Sequence, residues 1–210
     1  DIDSLKLGNY QSFEMGELMS KKNAVMPTLL YLFHVIEKNC DGSPTFIILD
    51  ECWTFLDNPI FAEKIREWLK TMRKNNVSII FATQNLEDIK KCSISSAIIE
   101  SCMTRFFLPN AQALNQGNEE VYGFFNLNYR ERQIIADSRP KHDYYIVSAE
   151  GKRRFDLALS PYALSILAAS SKDDQAECER IKKSYPDDDF MVHWLEYKGL
   201  RDAKEAYMAL

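Results

Sequence analysis

The chain has 210 residues, of which 46% are hydrophobic and 27% are charged. This composition is typical of a globular protein and excludes a disordered chain. Acidic residues outnumber basic ones by 31 to 26, so the formal net charge is −5, which argues against nonspecific binding of nucleic acid by the whole surface. No apolar run exceeds five residues, whereas a membrane helix needs about 20. The five cysteines contain no Cys-x-x-Cys pair, which argues against a disulfide framework or a zinc ribbon and favours a reducing cytoplasm.

The first half of the chain predicts a strand, a helix and a second strand. After a helix over residues 23–39, the apolar run Phe46–Leu49 predicts a strand buried on both faces. Asp57 is the predicted cap of the next helix, with Pro59 inside its first turn. Val77–Ala82 predicts a second buried strand. A strand, a helix and a strand joined by short connections almost always form parallel strands with a right-handed crossover, so we expect that arrangement here.

The second half predicts shorter elements and a tail. They are a helix at Ser93–Cys102, a third strand at Arg105–Leu108, a capping box at Asn128 and Glu131 before a helix at 129–136, and a β-hairpin from Tyr144–Val147 and Arg153–Leu157. Ser160-Pro161 opens a helical tail with seven basic and ten acidic residues. We therefore expect a main domain over 1–159 and a helical appendage with a solvated acidic face over 160–210.

Two carboxylates follow the first predicted strand. Asp50 and Glu51 come directly after Phe46–Leu49. In nucleotide hydrolases with a P-loop core, the first such acid holds Mg²⁺, commonly through water, and the second polarises the attacking water. Apolar runs that end in Asp-Glu also occur by chance at buried strand ends, so this pattern alone is only moderately specific.

The second predicted strand ends in Thr83-Gln84. If the two strands are parallel neighbours, their carboxyl ends share one edge of the sheet, and Asp50, Glu51 and Gln84 converge in the crevice where open α/β sheets bind ligands. A glutamine there can sense a γ-phosphate or orient a water. The alternative is that Thr83 and Gln84 only cap the strand.

The sequence lacks a phosphate-binding loop. The Gly-x-x-x-x-Gly-Lys-Ser/Thr loop is absent, since the one Gly-Lys pair, Gly151-Lys152, is followed by Arg153 within the predicted hairpin. The chain therefore has the acid pair of an ATPase without the loop that binds its phosphates.

Several stretches resemble a known family. They are PTLLYLFHVIE, PTFIILDECWTFLDNPIFAEKIREWLKTMRKNN, VSIIFATQ, SSAIIESCMTRFFLPN, LNYRERQII and HDYYIVSAEGKRRFDLALSP. Together they are similar to the ATPase domain of the TrbE/CagE/TraC-like (VirB-type) ATPases, which power type IV secretion and conjugation. The resemblance implies an α/β fold with a RecA-like P-loop NTPase core of the HerA/FtsK branch. It also implies a mostly parallel sheet that lacks the P-loop strand, a β-hairpin and a helical C-terminal tail.

The resemblance assigns roles by position. Asp50 would be the acid that holds Mg²⁺, Glu51 the catalytic glutamate and Gln84 the sensor, with ATP and Mg²⁺ as cofactors. Related hexameric motors use an arginine from a neighbouring subunit. Arg73 is the first candidate for it, with a solvated helix end as the alternative. Arg105 is the second, and there a structural role is the stronger interpretation.

The resemblance also implies a context. The parent would be a hexameric ATPase at the cytoplasmic face of the inner membrane, with its own subunits, inner-membrane secretion components and a protein or DNA substrate as partners. The family's P-loop lies upstream, so a chain that begins at Asp1 predicts a C-terminal piece that hydrolyses no ATP alone. Two alternatives stay open. One is a non-hydrolytic remnant that acts as a docking module in the secretion apparatus, and the other is a DNA-translocating motor of the same branch.

Overall fold

A computed structural model describes residues 8–16, 18, 21–185 and 189–209. Residues 1–7, 17, 19 and 20 of the predicted main domain, and 186–188 and 210 of the predicted tail, lie outside these ranges. The helices are α1 (Lys22–Asn39), α2 (Trp53–Leu56), α3 (Pro59–Thr71), α4 (Leu86–Lys91), α5 (Ser95–Ser101), α6 (Asn118–Phe124), α7 (Tyr129–Ala136), α8 (Pro161–Leu167), α9 (Lys172–Ser184), α10 (Phe190–Tyr197) and α11 (Arg201–Met208). The strands are β1 (Thr45–Asp50), β2 (Val77–Ala82), β3 (Arg105–Phe107), β4 (Asp143–Ser148) and β5 (Gly151–Asp156).

Strands β1 and β2 are parallel neighbours, as the sequence predicts. Their register runs from Thr45 opposite Val77 to Asp50 opposite Ala82. Helices α2 and α3 and a 3₁₀ turn at Met72–Asn75 connect them. The two strands therefore end together at one edge of the sheet.

The predicted cap of α3 is wrong by one residue. Asp57 has helical backbone angles and ends α2, whereas Asn58 has the extended backbone that an N-cap requires. The side chain of Asn58 accepts a hydrogen bond from the N–H of Ile60 at 3.0 Å. Pro59 occupies the first helical turn, as expected.

The prediction of a mostly parallel sheet is wrong for the second half of the chain. Strand β3 pairs with β4, and β4 with β5, both antiparallel. The physical reason is that the hairpin brings the edge of β4 alongside β3 in the opposite direction. Strand β3 also ends at Phe107, not at Leu108, which precedes a proline. The predicted capping box is confirmed, because Asn128 and Glu131 each accept a hydrogen bond from the other's backbone N–H.

One hydrophobic core joins helices α1 and α3 to one side of both sheets. Phe33 of α1 contacts Trp68 of α3, with ring centroids 4.5 Å apart. Ile47 of β1, and Phe107 and Tyr145 of the second sheet, belong to the same buried cluster. This packing holds helices α1 and α3 against the sheets.

The prediction that β1 is buried on both faces is wrong for the chain as described. Phe46 and Ile48 are 71% and 65% exposed, and Ile80, directly opposite Ile48, is 44% exposed. Within the described residues, the core covers only the other side of these strands.

The C-terminal helices α8–α11 have a small core of their own. Ile181, Trp194 and Leu195 are buried there and lie outside the main cluster of the described residues. The indole N–H of Trp194 donates to the carbonyl of Ser165 at 3.1 Å. Helix α8 begins at Pro161, as predicted, and the side chain of Ser160 caps it. The division of the chain at residue 160 stays a prediction. In the described part of the chain, no helix is both long and apolar enough to cross a membrane.

Candidate active site

The carboxyl ends of β1 and β2 bring the predicted site residues together. Asp50 lies opposite Ala82, and the N–H of Glu51 donates to the carbonyl of Ala82 at 3.1 Å. Adjacent strands are about 4.8 Å apart, so the residues that follow Ala82 lie beside the two carboxylates. Asp50, Glu51 and Gln84 therefore share one edge of the sheet.

Glu51 holds a strained backbone conformation. Its φ is 48°, in the left-handed region that costs a residue other than glycine about 1–2 kcal/mol. Two side-chain contacts accompany it. One carboxylate oxygen accepts from the backbone N–H of Gln84 at 2.7 Å, and the other lies 3.5 Å from the hydroxyl of Thr83. Strained residues of this kind cluster at functional sites, and here the strained residue is the predicted catalytic glutamate.

The loop after β2 is fixed by local hydrogen bonds. The hydroxyl of Thr83 accepts from the N–H of Asn85 at 3.1 Å. The side chain of Asn85 in turn caps α4 by accepting from the N–H of Glu87 at 3.1 Å. Gln84 lies between them and is exposed. Its backbone is thus held by Glu51 while its side chain faces solvent, which suits a residue that senses a ligand.

Asp50 presents its carboxylate to solvent. The residue is exposed and continues the face of β1 that carries Ile48. Hard cations such as Mg²⁺ prefer carboxylate oxygens and keep several waters. Among the described residues, no three His, Cys, Asp or Glu side chains come together as a metal site. A Mg²⁺ ion at this edge could be held by Asp50.

Cys52, directly after the acid pair, is not a nucleophile. Burial raises the pKa of its thiol to about 12, and the thiolate is the reactive form. The residue packs in the main core. Next to it, the ring of Trp53 stacks on Phe81 of β2 at 6.0 Å, which ties α2 to the strand end.

Arg73 lies away from the acid pair of its own chain. It belongs to the 3₁₀ turn before β2, at the edge where the strands begin. At about 3.3 Å per residue, the length of β2 separates the two edges by about 16 Å. The side chain is exposed. Arg73 therefore does not reach the acid pair of its own chain.

Arg105 is held by the fold. Its guanidinium donates to the carbonyls of Ile99 at 2.9 Å, Cys102 at 3.1 Å and Phe125 at 3.2 Å. The first two are the open carbonyls at the end of α5, which a basic side chain commonly satisfies. These contacts give Arg105 a structural role.

Sequence reasoning missed two features of the site. The partner of Glu51 is the backbone N–H of Gln84, and Thr83 adds its hydroxyl. Neither contact leaves a signal in the sequence. The left-handed backbone at Glu51 also leaves no signal in the sequence, because glycine, the residue that usually marks such a backbone, does not occupy this position.

Comparison with known proteins identifies relatives of this arrangement. A TraG P-loop domain matches residues 13–150. A probable conjugal transfer protein of Sinorhizobium fredii, named as the second part of TrbE, is 43% identical over 206 residues, which are 98% of this chain and 31% of that protein. The "Conjugal transfer protein TrbE" of Rhizobium radiobacter is 42% identical over 210 residues, 99% of this chain and 25% of that protein. The chain thus spans less than a third of the length of these relatives.

A solved structure agrees with the fold. The structure of VirB4 of Thermoanaerobacter pseudethanolicus matches with a TM-score of 0.53 and 18% identity, over 65% of this chain and 36% of that one. At that identity the likeness concerns the fold alone, which is the α/β fold of P-loop NTPases. The resemblance drawn from the sequence is confirmed. Because the domain match covers more than half of the chain, the chain belongs to the TraG P-loop domain family.

Proposed function

We propose that this chain is the C-terminal part of the ATPase domain of a type IV secretion or conjugation motor. The motor would be a RecA-like ATPase of the HerA/FtsK branch that couples ATP hydrolysis to pilus assembly or to the transfer of protein or DNA. The observation that carries the proposal is the meeting of Asp50, Glu51 and Gln84 at one sheet edge, with Glu51 strained and bonded to the loop that carries Gln84. The names of the TrbE relatives, which refer to conjugal transfer, support the context.

The three residues divide the chemistry. Asp50 would hold Mg²⁺, commonly through water, and the ion would neutralise phosphate charge. Glu51 orients the attacking water and accepts its proton as the oxygen bonds to the γ-phosphorus and the bond to the β-phosphate breaks. Gln84 contacts the γ-phosphate. Because Glu51 accepts from the backbone of Gln84, a shift of Gln84 on phosphate release also shifts the group that polarises the water.

The rest of the site belongs to other parts of the assembly. The phosphate loop and its strand come from the preceding part of the parent protein, and Arg73 comes from the neighbouring subunit of a hexamer. The assembly works at the cytoplasmic face of the inner membrane, in contact with inner-membrane secretion components. Removal of the loop removes the donors that neutralise the phosphates. The chain alone therefore has no turnover.

A hybrid protein tests this proposal. In it the chain replaces the aligned quarter of the Rhizobium radiobacter TrbE, and the rate of ATP hydrolysis is measured. We expect the hybrid to hydrolyse ATP, the chain alone to give background, and Glu51→Gln to lower kcat by a factor on the order of 100 or more. The matched control is Glu87→Gln, since Glu87 lies in the first turn of α4 near the site. No turnover in the unsubstituted hybrid would favour the docking module, and unchanged turnover in the Glu51→Gln hybrid would contradict the role of Glu51. Hydrolysis by the chain alone that depends on Glu51 would contradict the need for the loop.

A mixing experiment tests Arg73. Hybrids with Arg73→Ala or Glu51→Gln are each expected to be inactive. If Arg73 acts on a neighbouring subunit, mixing the two restores part of the activity, because some interfaces then join an intact arginine to an intact acid pair. Arg105→Ala in place of Arg73→Ala is expected to lower stability instead, since it leaves three carbonyls without their donor. No recovery on mixing would contradict the role of Arg73.

A further inference from the structure

Strand β5 is the last strand of the second sheet and has one open edge. Among the described strands it pairs only with β4. The pairing runs without a bulge from Asp143 opposite Asp156 to Ser148 opposite Gly151, and β5 contains no proline. Bulges and prolines are two of the devices that prevent a further strand from adding to an edge, and neither protects this one.

The open backbone groups of β5 can be assigned to particular residues. In an antiparallel pair, opposite residues alternate between pairs that exchange hydrogen bonds and pairs that do not. The N–H of Leu157 donates to the carbonyl of His142 at 3.3 Å, which fixes the phase of this alternation. The N–H and C=O groups of Lys152, Arg154 and Asp156 therefore point away from β4, and among the described residues they have no hydrogen-bond partner.

Two unpaired arginines flank this edge. Arg153 and Arg154 are exposed, and neither makes a hydrogen bond or an ion pair with another described residue. Because successive side chains of a strand point to opposite faces, one guanidinium lies on each face of the sheet beside the edge. The charge of the neighbouring Lys152 is neutralised by Glu131, at 2.7 Å. The free positive charge of β5 therefore comes from Arg153 and Arg154.

Charge distinguishes the edge of β5 from the other open strand edges. Strands β1 and β2 contain no Lys or Arg, and β1 ends in Asp50. The one cation of β3, Arg105, donates to three backbone carbonyls. Among the described strands, only β5 therefore presents free cations beside open backbone groups.

We propose that the open edge of β5 binds an extended acidic segment of a partner protein, which adds to the second sheet as a further strand. The backbone of the segment bonds to the open groups of Lys152, Arg154 and Asp156, and these bonds supply the affinity. Two consecutive acidic side chains of the added strand lie on opposite faces of the sheet and meet Arg153 and Arg154. These two contacts select an acidic sequence.

The same features disfavour other occupants. A second copy of β5, paired antiparallel about the arginines, would bring Arg153 and Arg154 of the two copies together, and like charges opposite each other destabilise a sheet. Nucleic acid requires clustered cations, whereas this edge also presents carbonyl oxygens and lies between Glu150 and Asp156. Cations on an edge strand repel a basic strand or a second copy, but they attract an acidic strand.

Peptide binding tests the proposal. The probe is a fluorescein-labelled peptide, Thr-Val-Glu-Glu-Val-Thr, and its anisotropy is measured with the full chain at about 0.15 M salt and without nucleotide. We expect saturable binding. The peptide Thr-Val-Lys-Lys-Val-Thr should bind at least about tenfold more weakly. The acidic peptide with every backbone nitrogen methylated should also bind at least about tenfold more weakly, because it cannot donate the hydrogen bonds of an added strand.

A charge reversal tests the two arginines. Arg153→Glu together with Arg154→Glu should weaken binding of the acidic peptide at least about tenfold and make the lysine peptide the stronger ligand. The matched control is Lys182→Glu with Lys183→Glu, which changes the net charge equally but lies at the end of α9. It should leave the Kd within about twofold, because exposed charges are screened at this ionic strength. Both arginines are exposed, so circular dichroism should show an unchanged fold in their double variant.

Several results would overturn the inference. One is that the acidic and lysine peptides bind alike or not at all, and another is that the acidic peptide binds equally after the change of both arginines. Equal binding of the methylated peptide would mean that charge alone makes the contact, without an added strand. A single-stranded oligonucleotide that displaces the peptide and binds more tightly would assign the arginines to nucleic acid. Self-association of the chain that the arginine changes abolish would assign the edge to a second copy. Because no nucleotide is present, these results do not depend on the proposed function.

Discussion

The left-handed backbone of Glu51 predicts a reversed order of stabilities for substitutions at this position. At an ordinary helix or strand position, glycine is less stable than alanine by about 0.5–1 kcal/mol. At a φ of 48° alanine keeps a steric cost of about 1–2 kcal/mol that glycine avoids. Both substitutions lose the carboxylate contact to the N–H of Gln84, which contributes about 1 kcal/mol at a partly exposed site. We therefore expect Glu51→Ala to lower the free energy of unfolding by about 1 kcal/mol and Glu51→Gly to leave it within about 0.5 kcal/mol.

Urea unfolding measures these differences. The buried Trp53, two residues along the chain, reports the transition by fluorescence. Two controls bracket the effect. Ala158 has the same φ of 48°, so Ala158→Gly should raise the free energy of unfolding by about 1 kcal/mol. Ala176 is exposed within the regular helix α9, so Ala176→Gly should lower it by about 1 kcal/mol.

The result that would refute this reasoning is a Glu51→Ala variant as stable as Glu51→Gly while both controls behave as expected. The backbone at Glu51 would then not be strained. If the glycine variant is stable and the corresponding hybrid is inactive, the glutamate is retained for its chemistry at a cost in stability, as active-site residues often are.

Three further predictions concern packing, pH and thiol reactivity. Trp68 is fully buried, so Trp68→Ala should lower the free energy of unfolding by about 3–5 kcal/mol, and a urea midpoint near that of the parent chain would contradict this. Arg139 donates to the carboxylate of Asp143 at 2.9 and 3.0 Å and holds the pKa of Asp143 well below its usual range. Because the folded pKa is lower than the unfolded value of about 3.9, this stabilisation is present above about pH 4 and lost as the pH falls further. The stabilisation is lost over about pH 5 to pH 2, so the urea midpoint of Asp143→Asn should change less over that range than the midpoint of the parent chain. An identical pH profile for the two proteins would contradict a stabilising role for the ion pair. Burial raises the pKa of Cys52 to about 12, so iodoacetamide should label the more exposed Cys178 first by mass spectrometry, and equally fast labelling of Cys52 in the folded chain would contradict the burial.

Features with local or topological causes could be predicted from the sequence. The capping box at Asn128 and Glu131 joins residues three apart, so both partners are visible in the sequence. The parallel pairing of β1 and β2 follows from the helical crossover that connects them. That pairing places Asp50, Glu51 and Gln84 at one edge, so the members of the candidate site could be predicted before their contacts were known.

Features with distant causes could not be predicted. The direction of β3 depends on a hairpin that begins at Asp143, far along the chain. An apolar run such as Phe46–Leu49 predicts burial but does not say what buries it, and one face of β1 is exposed in the described residues. Asp57 and Asn58 are both good helix caps, and only their backbone angles distinguish them.

The most direct test of the account compares nucleotide binding with turnover in the hybrid that carries Glu51→Gln. If Glu51 polarises the attacking water, the variant should bind Mg²⁺–ATP with a Kd close to that of the unsubstituted hybrid and lose kcat by a factor on the order of 100 or more. Unchanged turnover with unchanged binding would contradict the assignment of the site at the carboxyl ends of β1 and β2.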